Sequence, residues 1–274
     1  MHLFDNKIIA VTGGAEGIGK NIAKEFGHRN ATVLICDSNS EKGTETELEL
    51  QQDNILAKFI QTDLSKKGEP QALIRNVVDH YGKLDILVNN ARSGPKLKMF
   101  TQNLFEESED SWDECMTVTL KAAFFTTQEA IRLMSQSTGG CIINISSILS
   151  QVVGNASPSY HAAKAGLNQL TRYFAVYGSQ YNIRVNCILA GFIVQDRHLD
   201  KYESNSNIKY RQIAEFCSPT NQVGTSDDIS KATVFLCSDD SSYISGASIV
   251  VDGGMTLQEQ SSLMFDFDKT SKKQ

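Results

Sequence analysis

No apolar run in these 274 residues approaches the length of a membrane span. The N-terminal MHLFDNK also lacks the apolar stretch of a secretory signal. Basic clusters are missing too, and the net charge is −6, which argues against nucleic acid as a partner. The six cysteines, at 36, 115, 141, 187, 217 and 237, form no C-x-x-C pair. Cys36, Cys141 and Cys187 fall inside apolar, strand-like runs, as thiols do in a reducing compartment. Neither a metal site nor a disulfide framework is expected, and the chain reads as cytoplasmic. No linker or internal repeat divides it.

What is present is enough apolar material for a core, 41%, with an ordinary 21% of charge. The chain is organised around Lys7 to Gly19, KIIAVTGGAEGIG. Ile8 to Thr12 is mostly apolar and suits a strand covered on both faces. The glycines then break the strand, and Ile18, Ile22 and Phe26 recur at helical spacing. A strand, a glycine turn and a helix make half of a βαβ unit. Missing side chains admit a pyrophosphate, and the helix start offers N–H groups and a positive dipole end. The spacing of Gly13, Gly17 and Gly19 is T-G-x-x-x-G-x-G, looser than the G-x-G-x-x-G fingerprint and by itself compatible with an ordinary tight turn. Its partner is Asp37, which ends the second apolar run, Ala31 to Cys36. A carboxylate there accepts from the ribose hydroxyls and repels a 2′-phosphate, favouring NAD over NADP. The plainer alternative is a solvated turn aspartate.

Strand and helix patterns alternate to the end. Helix patterns cover Ser40 to Gln52, Gln71 to Tyr81, Trp112 to Met134, Pro158 to Tyr177 and Ser226 to Leu236. Strand patterns cover Ile55 to Thr62, Leu84 to Val88, Cys141 to Ile145, Ile183 to Leu189 and Ile249 to Val251. Two stretches, Arg92 to Asp110 and Phe192 to Pro219, are long and irregular, the second with room for a short helix. The expectation is a single α/β domain over 1–257: a doubly wound, seven-stranded parallel sheet with helices on both faces, followed by a tail, 258–274. A ligand belongs outside the carboxyl ends of the strands, where Asp37, Asp63, Asn90, Ser147 and Ala190-Gly191 all fall. Asp63 is placed to meet an adenine amino group or, equally, to cap the helix that follows.

Tyr160 and Lys164 are four apart on one helix and share a face. A phenol working near neutral pH needs its pKa depressed by roughly 3 units, about 4 kcal/mol, and a neighbouring ammonium acts in that direction. Ser147, at the end of the preceding strand, offers a hydroxyl for a substrate oxygen. A Y-x-x-x-K pair alone occurs by chance on many helix surfaces. Here it follows a buried strand ending in Ser-Ser, in a chain with a dinucleotide loop.

These features resemble the classical short-chain dehydrogenase/reductase family, across residues 5 to 256. The matching stretches are TGGAEGIG at 12–19, Asp37, Asp63-Leu64, NNA at 89–91, NISS at 144–147, YHAAK at 160–164, RVNCILAG at 184–191 and SYISGASIVVDGG at 242–254. The resemblance implies that Ser147 positions the substrate oxygen and that Tyr160 is the general acid/base. Lys164 would bind the nicotinamide ribose and lower the Tyr160 pKa. Cofactor contacts are implied at Gly13, Glu16, Gly17, Ile18, Gly19, Asp37, Asp63, Leu64, Asn90, Ala91 and Gly191, with a backbone contact to the carboxamide at Ile193. It also implies a homotetramer built through the helices 112–134 and 158–177.

Four positions depart from the family pattern. Arg92 stands where a glycine usually follows N-N-A, and Thr119 replaces the asparagine of a V-N-L run. That asparagine helps hold a water beside the lysine partly through its main chain, which a threonine also offers. Ala190-Gly191 stands for P-G, and Gln195 for a frequent threonine. The reading is an NAD-dependent oxidoreductase moving a hydride between the nicotinamide and a secondary alcohol or ketone. A binding protein holding NAD as a sensor or partner subunit is the alternative. A sugar-nucleotide epimerase needs a larger second domain than this length allows. Arg92, with Lys96 and Lys98 in its loop, suits an anionic or sugar-like substrate, such as an acidic sugar or hydroxy acid; the plainer alternatives are solvent or an ion pair with Glu106, Glu107 or Glu109.

Overall fold

The computed structural model describes residues 3–93 and 104–259. Lys96, Lys98 and the tail beyond Glu259 lie outside the described residues. Seven parallel strands form the central sheet: β1 (Ile8–Thr12), β2 (Thr32–Asp37), β3 (Ala57–Gln61), β4 (Ile86–Asn89), β5 (Gly140–Ser147), β6 (Ile183–Ala190) and β9 (Ser248–Val251). Their order is β3-β2-β1-β4-β5-β6-β9, and the sheet is seven-stranded and parallel, as the alternating pattern predicts. The chain leaves β1 toward one edge and returns through β4 to the other, so the strand order reverses between β1 and β4. That reversal opens a crevice at the carboxyl ends of these two strands.

Both faces of the sheet are covered. Ile9, Val11, Val33, Ile35, Val88 and Ile143 point to one layer, where α1 (Gly17–Gly27) contributes Ile22 and Phe26 and α9 (Ser226–Cys237) contributes Ile229 and Leu236. Ala10, Leu34, Leu87 and Ile142 point to the other. There they meet Leu73, Ile74 and Val77 of α3 (Glu69–Tyr81), Ala130 and Met134 of α5 (Ala122–Met134), and Phe174 of α6 (Pro158–Gly178). This two-sided burial explains why the central strands read as continuous apolar runs without alternation. Helix α2 (Ser40–Gln52) has the bounds expected of it, with Asn39 accepting from the Lys42 N–H as its cap at 3.0 Å.

Three expectations are corrected. The helix pattern of Trp112 to Met134 is not one helix. A short helix, α4 (Glu109–Cys115), begins at a Ser108–Ser111 capping box. A π-helical turn, Met116–Lys121, then leads into α5. The run Thr117-Val118-Thr119 is β-branched and crowds a regular helical turn, and the wider turn accommodates it. Second, Asp63 does not cap α3, whose N-cap is Gly68. Its carboxylate instead accepts from the Ser65 N–H and hydroxyl at 3.1 and 2.6 Å, closing the intervening turn. Third, the segment after Phe192 is more ordered than its pattern suggests. It holds α7 (Leu199–Glu203), α8 (Ile208–Phe216) and a two-stranded parallel ladder of β7 (Ile193–Val194) with β8 (Gly224–Thr225). Strands of two residues are below what periodicity detects.

Candidate active site

The glycine turn and the ends of β1 and β4 are tied together by side chains. The Asn90 amide donates to the carbonyls of Thr12 and Gly13 at 3.1 and 2.9 Å. The Thr12 hydroxyl accepts from the Asn90 and Ala91 N–H groups at 3.0 and 3.1 Å. The turn is thereby held flush against the crevice. A Cβ on Gly19 would sit 2.1 Å from the Gly13 carbonyl oxygen, so only glycine lets α1 start so close to the turn. Gly17 takes a left-handed φ of +52°. The first turn of α1 carries neither an acidic residue nor a side-chain cap from Glu16, which leaves its positive end for an anion. Ile18 packs against the core behind it.

Asp37 ends β2 beside this turn. One carboxylate oxygen accepts from the Ala15 N–H at 3.2 Å and the other from the Asn39 N–H at 3.0 Å. The carboxylate is thus oriented by backbone on both sides and held next to the cradle. A glycine cradle, a free helix start and an aligned carboxylate suit a nicotinamide dinucleotide. Asp63, with its carboxyl held below the usual range chiefly by the Ser65 hydroxyl, stands at the end of β3, and Leu64 is buried behind it. On the far side of the crevice, Gly191 donates to the Val251 carbonyl at 2.9 Å and Ile193 is fixed in register with Gly224.

β5 and α6 bring Ser147, Tyr160 and Lys164 together, with side chains almost wholly buried. The Ser147 hydroxyl accepts from the Leu149 N–H at 3.2 Å, and it acts on the Tyr160 phenol to lower its pKa. Lys164 Nζ donates to the Ile145 carbonyl at 2.6 Å and stands 5.6 Å from the centre of the Tyr160 ring. Thr119, buried in the π turn, has its hydroxyl 4.0 Å from Cys115 Sγ, and Cys115 packs with Tyr160 and Ala163. Burial pushes Lys164 down to about 8. It also pushes Tyr160 up from its ordinary value, opposed by the Arg92 guanidinium and the Ser147 hydroxyl. The depressed tyrosine expected from a Y-x-x-x-K pair is therefore not found, because burial of the phenolate outweighs the Arg92 charge and the Ser147 hydroxyl. A phenol in this state is a proton donor.

Arg92 leaves the end of β4 and donates to the Ser93 carbonyl at 3.3 Å. Its positive charge bears on both Tyr160 and Lys164. It does not pair with Glu107, whose carboxylate oxygens are buried without a hydrogen-bond partner. Two contacts of the 192–198 segment carried no sequence signal. Gln195 lies over the glycine turn, where a Cβ on Gly17 would fall 2.5 Å from its Oε1. Asn21 Nδ2 donates to Asp196 at 2.7 Å, tying the segment to α1.

A glycine cradle and a buried Ser-Tyr-Lys cluster at the same edge of a parallel sheet define a nucleotide-dependent oxidoreductase site. The chain belongs to the classical short-chain dehydrogenase/reductase family and is an oxidoreductase of it. Residues 13–256 match the family model described as enoyl-(acyl carrier protein) reductase. The 3-oxoacyl-[acyl-carrier-protein] reductase FabG of Chlamydia pneumoniae is 34% identical over 253 residues, spanning 91% of this chain and 97% of that protein. The 7alpha-hydroxysteroid dehydrogenase of Bacteroides fragilis is 32% identical over 257 residues, 94% of this chain and 97% of that one. A Sinorhizobium meliloti structure described as a short-chain alcohol dehydrogenase superposes with a TM-score of 0.83 at 30% identity, covering 94% of this chain and all of that one. Among the described residues no helix is long and apolar enough to cross a membrane, and no cluster of ligating side chains suits a metal ion.

Proposed function

We propose that this protein reduces a ketone, or oxidises the matching secondary alcohol, with NAD(H). The observation that carries the reading is the junction of the Ser147–Tyr160–Lys164 cluster with the glycine cradle and Asp37 along one sheet edge. When bound, the dinucleotide supplies or accepts the hydride. Gly13 to Gly19 and the start of α1 would take its pyrophosphate, and Asp37 its adenine ribose, against which a 2′-phosphate would set like charges. Asn90, Ala91, Gly191 and Ile193 line the inner crevice, and Lys164 would hold the nicotinamide ribose. In the reducing direction Ser147 holds the carbonyl oxygen, and Tyr160, kept protonated by its burial, gives that oxygen a proton. Thr119 offers the main chain of its π turn for a water beside Lys164.

Relatives named for an acyl-carrier-protein substrate and for a steroid share this framework, so the scaffold leaves the substrate open. Arg92 supports one bearing an anionic group, such as an acidic sugar or hydroxy acid. Assembly into a homotetramer through the helical face is supported by the exposed Val176 and by the stacked, half-exposed Tyr173 and Tyr177 of α6. We place the enzyme in the cytoplasm, as a single catalytic domain over 1–257 with a tail, 258–274. A screen of ketones carrying and lacking a carboxylate, followed by NADH absorbance, tests the activity. Tight NADH binding without turnover of any ketone or alcohol would favour a sensor role instead.

A further inference from the structure

Ser147 and Tyr160 are joined by a short excursion outside the sheet, and that excursion is pinned by side chains at both ends. After the turn Ile148–Ser150, residues 151–157 have no regular structure. At the near end the Ser150 hydroxyl donates to the Ser147 carbonyl at 2.6 Å, and Asn168 of α6 donates to that hydroxyl at 2.7 Å. At the far end the pin is His161, the residue after Tyr160. Its Nε2 accepts from the Gly154 N–H at 3.1 Å, and its Nδ1 lies 2.8 Å from the Ser157 carbonyl. Only one form of an imidazole satisfies both: the neutral ring with its proton on Nδ1. A ring protonated on Nε2 has nothing to accept the Gly154 N–H with.

The segment so held carries Val152 and Val153, exposed by 40% and 93%. Two adjacent solvent-facing valines therefore stand on the strap that joins Ser147 to Tyr160. Ser157, at the end of the strap, also caps α6 by accepting from the Tyr160 N–H at 3.2 Å. His161 therefore links the strap directly to the turn that aims Tyr160.

We propose that His161 is a positioning residue that clasps residues 151–157, setting an apolar lip at Val152 and Val153 for the carbon frame next to the substrate carbonyl. The claim rests on the oxidoreductase reading for the role of Ser147 and Tyr160, but the clasp itself is measurable without turnover. His161→Phe keeps a ring and removes both hydrogen bonds, whereas His161→Gln keeps one donor and one acceptor. In the wild type, nitrogen-15 correlation spectra of the imidazole should show a protonated Nδ1 and a bare Nε2. Amide exchange at Gly154 should quicken about 10-fold in His161→Phe and return most of the way in His161→Gln, the loss expected for one modest hydrogen bond. With a ketone that the enzyme turns over, His161→Phe should raise KM about 10-fold while kcat stays within about threefold and NADH binding is unchanged.

A protonated Nε2, or unchanged Gly154 exchange in His161→Phe, overturns the clasp. Lost protection with an unchanged KM overturns the positioning role and leaves the oxidoreductase reading standing. Absence of wild-type turnover sinks that reading, while the nitrogen and exchange measurements still decide the clasp. Should His161→Phe not fold, the wild-type spectrum and the Gln variant's exchange decide it.

Discussion

Lys164 Nζ donates to the Ile145 carbonyl at 2.6 Å and lies 5.6 Å from the centre of the Tyr160 ring. A buried ammonium held by a backbone carbonyl is costly, which is why its pKa falls to about 8 from 10.5. Below pH 8 the folded chain carries a charge that the unfolded chain holds in water. As pH rises from 8 to 10.5 the folded state sheds its proton first, and that cost disappears. Lys164→Met should therefore stabilise the protein at pH 7, by up to ~3 kcal/mol, while abolishing turnover. The gain should fade as pH approaches 10.5. Thermal unfolding of both proteins across pH checks this, and a variant less stable at pH 7 would contradict it.

Tyr160→Phe removes one hydroxyl and keeps the buried ring. Turnover should fall by about 10²–10⁴-fold, the usual contribution of a general acid or base. NADH titration by fluorescence should give a nearly unchanged Kd. Near wild-type turnover would remove Tyr160 from the chemistry.

Asp37 is held by two backbone N–H groups next to the cradle, so its charge cannot swing away from a 2′-phosphate without breaking them. NAD(H) should bind far more tightly than NADP(H), and Asp37→Ala should narrow the gap chiefly by improving NADP(H). Parallel fluorescence titrations measure both. Equal wild-type affinities would refute the cofactor assignment.

Arg92 lowers the pKa of both Tyr160 and Lys164. Its removal should raise both, moving the titration steps of the pH–rate profile to higher pH. On matched substrates Arg92→Ala should raise KM for the anionic member by about 10-fold or more and leave the neutral member near wild type. An equal effect on both would make Arg92 structural.

The exposed Tyr173, Val176 and Tyr177 face of α6 should be covered in solution. Light scattering at micromolar concentration should report a tetramer, and Val176→Glu should shift it toward smaller species. A wild-type monomer would overturn the assembly.

Much of this was legible in the residues themselves. A strand covered on both faces must be apolar throughout, so Ile8–Thr12 and its neighbours announced a parallel sheet, and the glycine turn followed by Asp37 announced its ligand edge. Tyr160 and Lys164 were legible as a pair because helical spacing is a local property. The π turn at Thr119 looked like ordinary helix, since a β-branched run also occurs within regular helices and its spacing does not mark the wider turn. Other features depend on what approaches from far along the chain. Gln195 over Gly17 and Asn21 on Asp196 join positions about 175 residues apart, with no pattern in either segment to pair them. The direction of the Tyr160 shift belongs to the same group. Spacing places an ammonium near a phenol, but burial is a property of the assembled core, and here desolvation of the phenolate outweighs the opposing Arg92 guanidinium and Ser147 hydroxyl.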